Sequence, residues 1–250
     1  MTDLEKLGNI FGAETIKRVY EDGFSGSVQE AGKMLTDLMK SARLFTMPFQ
    51  LAANYQDRIT KYFERVRNSV PENNQQSAPA SLSGPIIERL KFLEEDNYLT
   101  DLYLNLLSRA IDIERVNEAH PAFFHIIDQL SPDEALFLFK LKDIEIKVTT
   151  YRDLDREANK FINYQITKTD LPATQFNFPE HFHMYYSHLE SLNLVTWPVV
   201  DTEYPQNEAG IQTGLIQHSI IKLTDFGALF VKACIPEKGF IFMKNNNNQE

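Results

Sequence analysis

Three histidines, His181, His183 and His188, fall within one short stretch, and His120 and His125 lie close together upstream. Imidazole is a common metal ligand, but ligands on a single helix need a spacing of three or four to face one point. His181 and His183 are two apart and point in roughly opposite directions, while His188 is five beyond His183. No carboxylate stands at a helical partner position to complete a set. These spacings read as structural or surface histidines, and no metal or other cofactor is expected. Paired carboxylates for acid–base work are offered by Glu94, Glu95 and Asp96 and by Asp153, Asp155 and Glu157. Both groups fall where helix starts are expected, a position at which acids complement the helix dipole. There is no Gly-x-Gly-x-x-Gly, no Walker loop and no Gly-x-Ser-x-Gly elbow, so neither nucleotide-dependent nor nucleophilic catalysis is expected. The single cysteine, Cys234, sits in the apolar run Phe230-Val-Lys-Ala-Cys-Ile and reads as a packed, inert thiol.

Composition narrows the partners. A formal net charge of −10 opposes attraction to phosphate backbones or anionic lipid. With 43% hydrophobic residues the chain can bury a proper core. The first 23 residues carry acids early and lack an apolar core, unlike a secretory signal. The longest apolar stretch, around Leu44 to Ala53, is broken by Pro48 and Gln50 and is far shorter than the roughly 20 residues of a membrane span. A cytoplasmic protein is expected, with membrane contact through residues 44–51 as a lesser alternative.

The elements that would position these groups are mostly helices. Residues 1–70 read as a helical arm, 71–85 as a linker (PENNQQSAPASLSGP), 86–130 as a helical middle, 131–240 as a further subdomain and 241–250 as a disordered, asparagine-rich tail. The arm collects charge against the average, with ten bases to nine acids, whereas the other 180 residues carry fifteen bases and twenty-six acids. Arg58, Lys61 and Arg65 step by three and four and share a helix face beside Tyr62. This face either pairs with acids after the linker or forms a candidate interaction face for a partner.

The subdomain from 131 onwards has the order of a winged helix. A helix opens at Ser131-Pro132-Asp133-Glu134, a capping-box signature. A charged segment over 151–164 is expected as a second helix and residues 179–193 as a third. Strands at 195–200 and 215–223 form a two-stranded wing, and Thr224 caps a closing helix. The expected fold class is therefore mainly α, with a helical arm and middle followed by a winged-helix-like α/β subdomain. In a DNA reader the third helix presents cations to phosphates and base edges. Here it reads PEHFHMYYSHLESLN, without lysine or arginine, and the wing carries Asp201, Glu203 and Glu208. The charges argue against nucleic acid and for protein contact, including self-association.

The runs GPIIERLKFLEEDNYLTDLYLNLLSRAID, NEAHPAFFHIIDQLSPDEALFLFKLKD, HLESLNLV and IIKLTDFGALFVKACIP together resemble the Abi-alpha family of bacterial abortive-infection proteins. The shared features are Gly84-Pro85, Asn105-Leu106-Leu107, His120-Pro121, Gln129 to Asp133 and Leu223-Thr224-x-Phe226-Gly227, with Gly32, Pro48 and Arg58 upstream. The resemblance spans most of residues 30–236. It implies a role in defence against bacteriophage and brings no catalytic residues. Its motifs coincide with caps and turns at His120, Ser131, Asp133, Thr224 and Gly227. Asn193 stands where a glycine is expected in a Leu-Gly-Leu turn, a position that asparagine can fill in the left-handed conformation. The combined expectation is an antiphage protein acting as an interaction or sensor module without catalysis. Its rival is a winged-helix transcriptional regulator.

Overall fold

The computed structural model describes residues 57–171 and 175–240. The earlier part of the expected arm, the apolar segment 44–51 and the tail 241–250 lie outside these residues. The described chain forms two compact units, one of residues 57–129 with 236–240 and the other of residues 130–235.

In the first unit, Ile59, Phe63 and Val66 recur at helical steps along helix α1 (57–68) and are buried. Helix α2 (Ala80–Leu90) packs against α3 (Tyr98–Ala110), which contacts α4 (Ala122–Ile127). Leu102, Leu106 and Leu107 are fully buried. Asn97, one residue after the expected Asp96, caps α3 by accepting from the Leu99 N–H at 2.9 Å. The chain returns to this unit at its end, where Phe240 stacks on Tyr98 with ring centroids 4.5 Å apart.

Residues 71–79, within the expected linker, are hydrogen-bonded into the unit. The Gln76 N–H donates to the Ile111 carbonyl at 2.8 Å and the Ile113 N–H to Asn74 at 2.9 Å. The Gln75 amide donates to the carbonyls of Arg67 and Val70 and so closes the end of α1. Helix α2 begins at Ala80, so Pro85 lies inside it and not at its first position. The bond lost at Pro85 falls on the exposed side of the first turns, where water can satisfy the Ser81 carbonyl.

The second unit begins with α5 (Pro132–Leu141) and then departs from the winged-helix order. The segment expected as a second helix forms β1 (Ile146–Asp155) and β2 (Lys160–Thr169), paired antiparallel. After a 3-10 turn at Pro179–His181 come α6 (Phe182–Ser191), β3 (Val195–Thr196), β4 (Val199–Glu203), β5 (Gly214–Leu223) and α7 (Asp225–Cys234). The strands make one five-stranded antiparallel sheet in the order β2-β1-β5-β3, with β4 also paired to β5. The mainly α class is therefore corrected to a mixed α/β fold, and the two-stranded wing to part of this sheet. The physical reason lies in composition: Val148, Thr149, Thr150 and Tyr151, then Phe161, Ile162, Tyr164 and Ile166, are β-branched or aromatic. Asn159 supplies a left-handed turn between them, with φ 47°. The charges that suggested helical pairs sit at the hairpin end instead. Helices α5 and α7 contact β5, and α6 contacts β3. Ile146, Val148, Ser219 and Ile221 make the buried face of the sheet.

Candidate functional site

Of the residues singled out as caps and turns, Ser131, His120 and Thr224 make local cap hydrogen bonds. The Ser131 side chain accepts from the Glu134 N–H while the Glu134 carboxylate accepts from the Ser131 N–H at 2.7 Å, a closed capping box. His120 Nδ1 accepts from the Ala122 N–H at 3.1 Å and orients the start of α4. Thr224 accepts from the Gly227 N–H at 2.9 Å, capping α7. Gly227 is required by proximity: a Cβ there would lie 1.9 Å from the Leu194 carbonyl oxygen. Asn193, with φ 56°, makes the left-handed turn that brings Leu194 to that point.

Asp133 bonds across the unit to residues far along the chain, and Glu134 does more than cap. Both are buried. Asp133 accepts from the Asn177 N–H, the Asn177 amide, the Phe178 N–H and the Tyr185 hydroxyl at 2.8–3.0 Å. Glu134 Oε1 meets His188 Nδ1 at 2.6 Å, while Oε2 accepts the Ser131 hydroxyl at 2.8 Å. The order Ser–Glu–His matters, because the carboxylate stands between hydroxyl and imidazole. A nucleophilic serine needs the imidazole against its own hydroxyl, and here that hydroxyl is committed to Glu134. Burial and the Asp133 carboxylate raise the Tyr185 phenol well above its ordinary range, which keeps it a hydrogen-bond donor. The group is a clasp that fixes α6 and residues 177–178 to the start of α5.

The basic face is occupied within the first unit. Arg58 donates to the Lys91 carbonyl at 2.7 Å, Lys61 meets Glu95 at 3.2 Å and Arg65 meets the buried Asp101 at 2.7 Å. The Tyr62 hydroxyl donates to the Leu93 carbonyl at 3.4 Å. Asp57, Arg58, Lys61 and Glu95 line a hollow in which cations and carboxylates are matched.

An aromatic array in the second unit was not legible in the sequence. It starts in the core with Phe137 and Phe182, 5.6 Å apart, and passes to Trp197, whose indole is 5.9 Å from Phe182. Trp197 is fixed by donating to the Ser219 hydroxyl at 2.6 Å, and Ser219 in turn donates to the Val148 carbonyl. On the outer side His183 stacks on Trp197 at 6.1 Å, Tyr186 meets its edge at 5.0 Å, and Tyr164 of β2 lies 6.0 Å from His183. The Arg152 guanidinium stands 5.2 Å over the Tyr164 ring. Its buried Nε has no hydrogen-bond partner, and none of the ion pairs among the described residues involves Arg152. Exposed Met184 and Ile166 belong to the same helix and strand. Trp, Tyr, Met and Arg are the residue types that carry binding energy at protein interfaces, while phosphate surfaces need several cations. From residue 169 to residue 221 the chain has neither lysine nor arginine.

Among the described residues no group of three or more His, Cys, Asp or Glu side chains is placed to hold a metal ion. No helix among them is long and apolar enough to cross a membrane. A mixed α/β protein with an aromatic face carrying one unpaired cation is what fold and site define. The model of the family Abortive infection alpha matches residues 54–234, and the chain belongs to that family. No curated protein and no solved structure matches the chain.

Proposed function

We propose that this abortive-infection protein serves antiphage defence by contacting protein through the face of Arg152, Tyr164, His183 and Trp197, without catalysing a reaction itself. The observation that carries this reading is the array of aromatic rings running from the core to the surface, ending on a guanidinium that has no carboxylate of its own. Such a surface is rigid before binding, so little ordering cost remains to be met on association. Support for a non-catalytic role comes from the Ser131–Glu134–His188 order, in which no hydroxyl is activated. The rival DNA-reading role loses its second helix to the β1–β2 hairpin, and the expected third helix carries Glu180 in its leading 3-10 turn and Glu190 in α6, with no lysine or arginine.

The test is phage challenge of cells expressing wild-type protein or Trp197→Ala, with accumulation of both checked. Loss of protection at equal accumulation is expected. Full protection by Trp197→Ala overturns the reading. Tight, steeply salt-dependent binding of the purified protein to duplex DNA would favour the rival.

A further inference from the structure

The aromatic face is self-complementary. His183, Tyr186, Ser187 and Glu190 follow one stripe of α6, because steps of three and four return to the same side of a helix. The stripe has a cationic and an acidic end. Arg152 sits at the His183 end, reached through Tyr164. Glu190 closes the other end, about 10 Å along the helix axis at 1.5 Å per residue. Its Oε1 is held by the Tyr186 hydroxyl, and among the described residues Oε2 has no partner. The middle of the stripe is Ser187, small and exposed.

We propose that a second copy of this chain docks on this face, with the two α6 helices antiparallel across a two-fold axis near Ser187. This rests on the protein-contact reading and names the partner. The midpoint of His183 and Glu190 falls between Tyr186 and Ser187, so an antiparallel pair brings each His183 end against the other copy's Glu190 end. The unpaired Arg152 guanidinium of one protomer then meets the open carboxylate oxygen of the partner's Glu190, twice by symmetry. Ser187 at the crossing permits close approach of the helices, whose axes pack about 8–10 Å apart. The aromatic rings form the dry centre and the two ion pairs its rim, the usual arrangement of a specific interface. The open edge of β2 offers a second route to self-association and fails on geometry. Register shifts interrupt its pairing with β1 at two places, and Asn163 within it has φ 56°. Bulges of this kind twist an edge away from regular strand addition.

The test is sedimentation of the full chain at micromolar to tens-of-micromolar concentration. The wild type is expected to sediment as a dimer. Arg152→Glu should weaken association by about a hundredfold, since like charges then face each other at both ends. Adding Glu190→Arg to that variant should restore the dimer. Because Arg152 packs on Tyr164 and its replacement can disturb the hairpin, Ser187→Cys provides an independent reading. A short bismaleimide should link two such chains through position 187, while buried Cys234 stays unreacted in the wild type. A monomeric wild type, a dimer indifferent to charge reversal, or absence of the 187–187 link overturns the proposal. Loss of phage protection by Trp197→Ala in a protein that is monomeric throughout would leave the protein-contact reading standing and remove only the second copy as its partner.

Discussion

Asp133 illustrates how one carboxylate can hold an element in place. Asp133 and Tyr185 are buried while Asn177 and Phe178 are exposed, so truncation strands chiefly the Tyr185 hydroxyl, at about 1–3 kcal/mol for an unsatisfied group that water cannot reach. Asp133→Ala should therefore lower the stability of the protein by about 1–3 kcal/mol in urea denaturation, and a loss below about 0.5 kcal/mol would contradict the clasp. Tyr62 gives a pH dependence whose sign follows from its burial. Burial lifts its phenol up to about 12, against the opposing pull of Arg58, whereas an unfolded chain titrates tyrosine near ~10. The unfolded state thus loses this proton first, so the contribution is complete below about pH 10 and disappears as pH climbs towards 12. Urea midpoints followed from about pH 9 to 12 should fall, and Tyr62→Phe should make the fall shallower. An identical slope in the variant would contradict this. Tyr103, Tyr185 and Tyr186 are raised in the same direction, so the variant flattens the curve only in part.

At the scale of elements, the caps were readable because they are written within four residues: Ser131-Pro-Asp-Glu names both partners of the box, and Thr224 is followed three residues later by Gly227. What the sequence leaves implicit is what lies opposite. Gly227 reads as a turn residue, yet its role is to let α7 approach the Leu194 carbonyl. Gly227→Ala should cost well over the roughly 1 kcal/mol expected for removing the cap with Thr224→Ala; equal losses in thermal melts would show that the close approach yields easily. Residues 151–164 were misread because Arg152, Asp153, Asp155, Arg156 and Glu157 mimic a charged helix, while the alternation in Phe161 to Ile166 is a weak local signal. The aromatic face was invisible for a related reason. Tyr164, His183 and Trp197 meet only because β2 pairs with β1, β1 with β5, and β5 holds Trp197 through Ser219. The common face of Arg58, Lys61 and Arg65 was legible from spacing, but their partners Lys91, Glu95 and Asp101 come from the α2–α3 region.

For the whole molecule, the family sets the defence role, and the charge distribution bears on the proposed partner. The net charge of −10 opposes attraction to polyanions, and under the proposed role the Arg152 guanidinium, set among aromatic rings, selects a carboxylate of the partner. In that proposed role, the face of Arg152, Tyr164, His183 and Trp197 is the surface through which this abortive-infection protein acts. The most direct measurement is phage plating on cells expressing a matched pair of variants, Ser187→Arg and Gln165→Arg. Both positions are exposed and both changes add one positive charge. Ser187 lies on the α6 stripe, whereas Gln165 neighbours Tyr164 and so projects from the opposite face of β2. The account predicts that Ser187→Arg loses protection while Gln165→Arg keeps it. Protection retained by Ser187→Arg, or lost equally in both at normal accumulation, would contradict it.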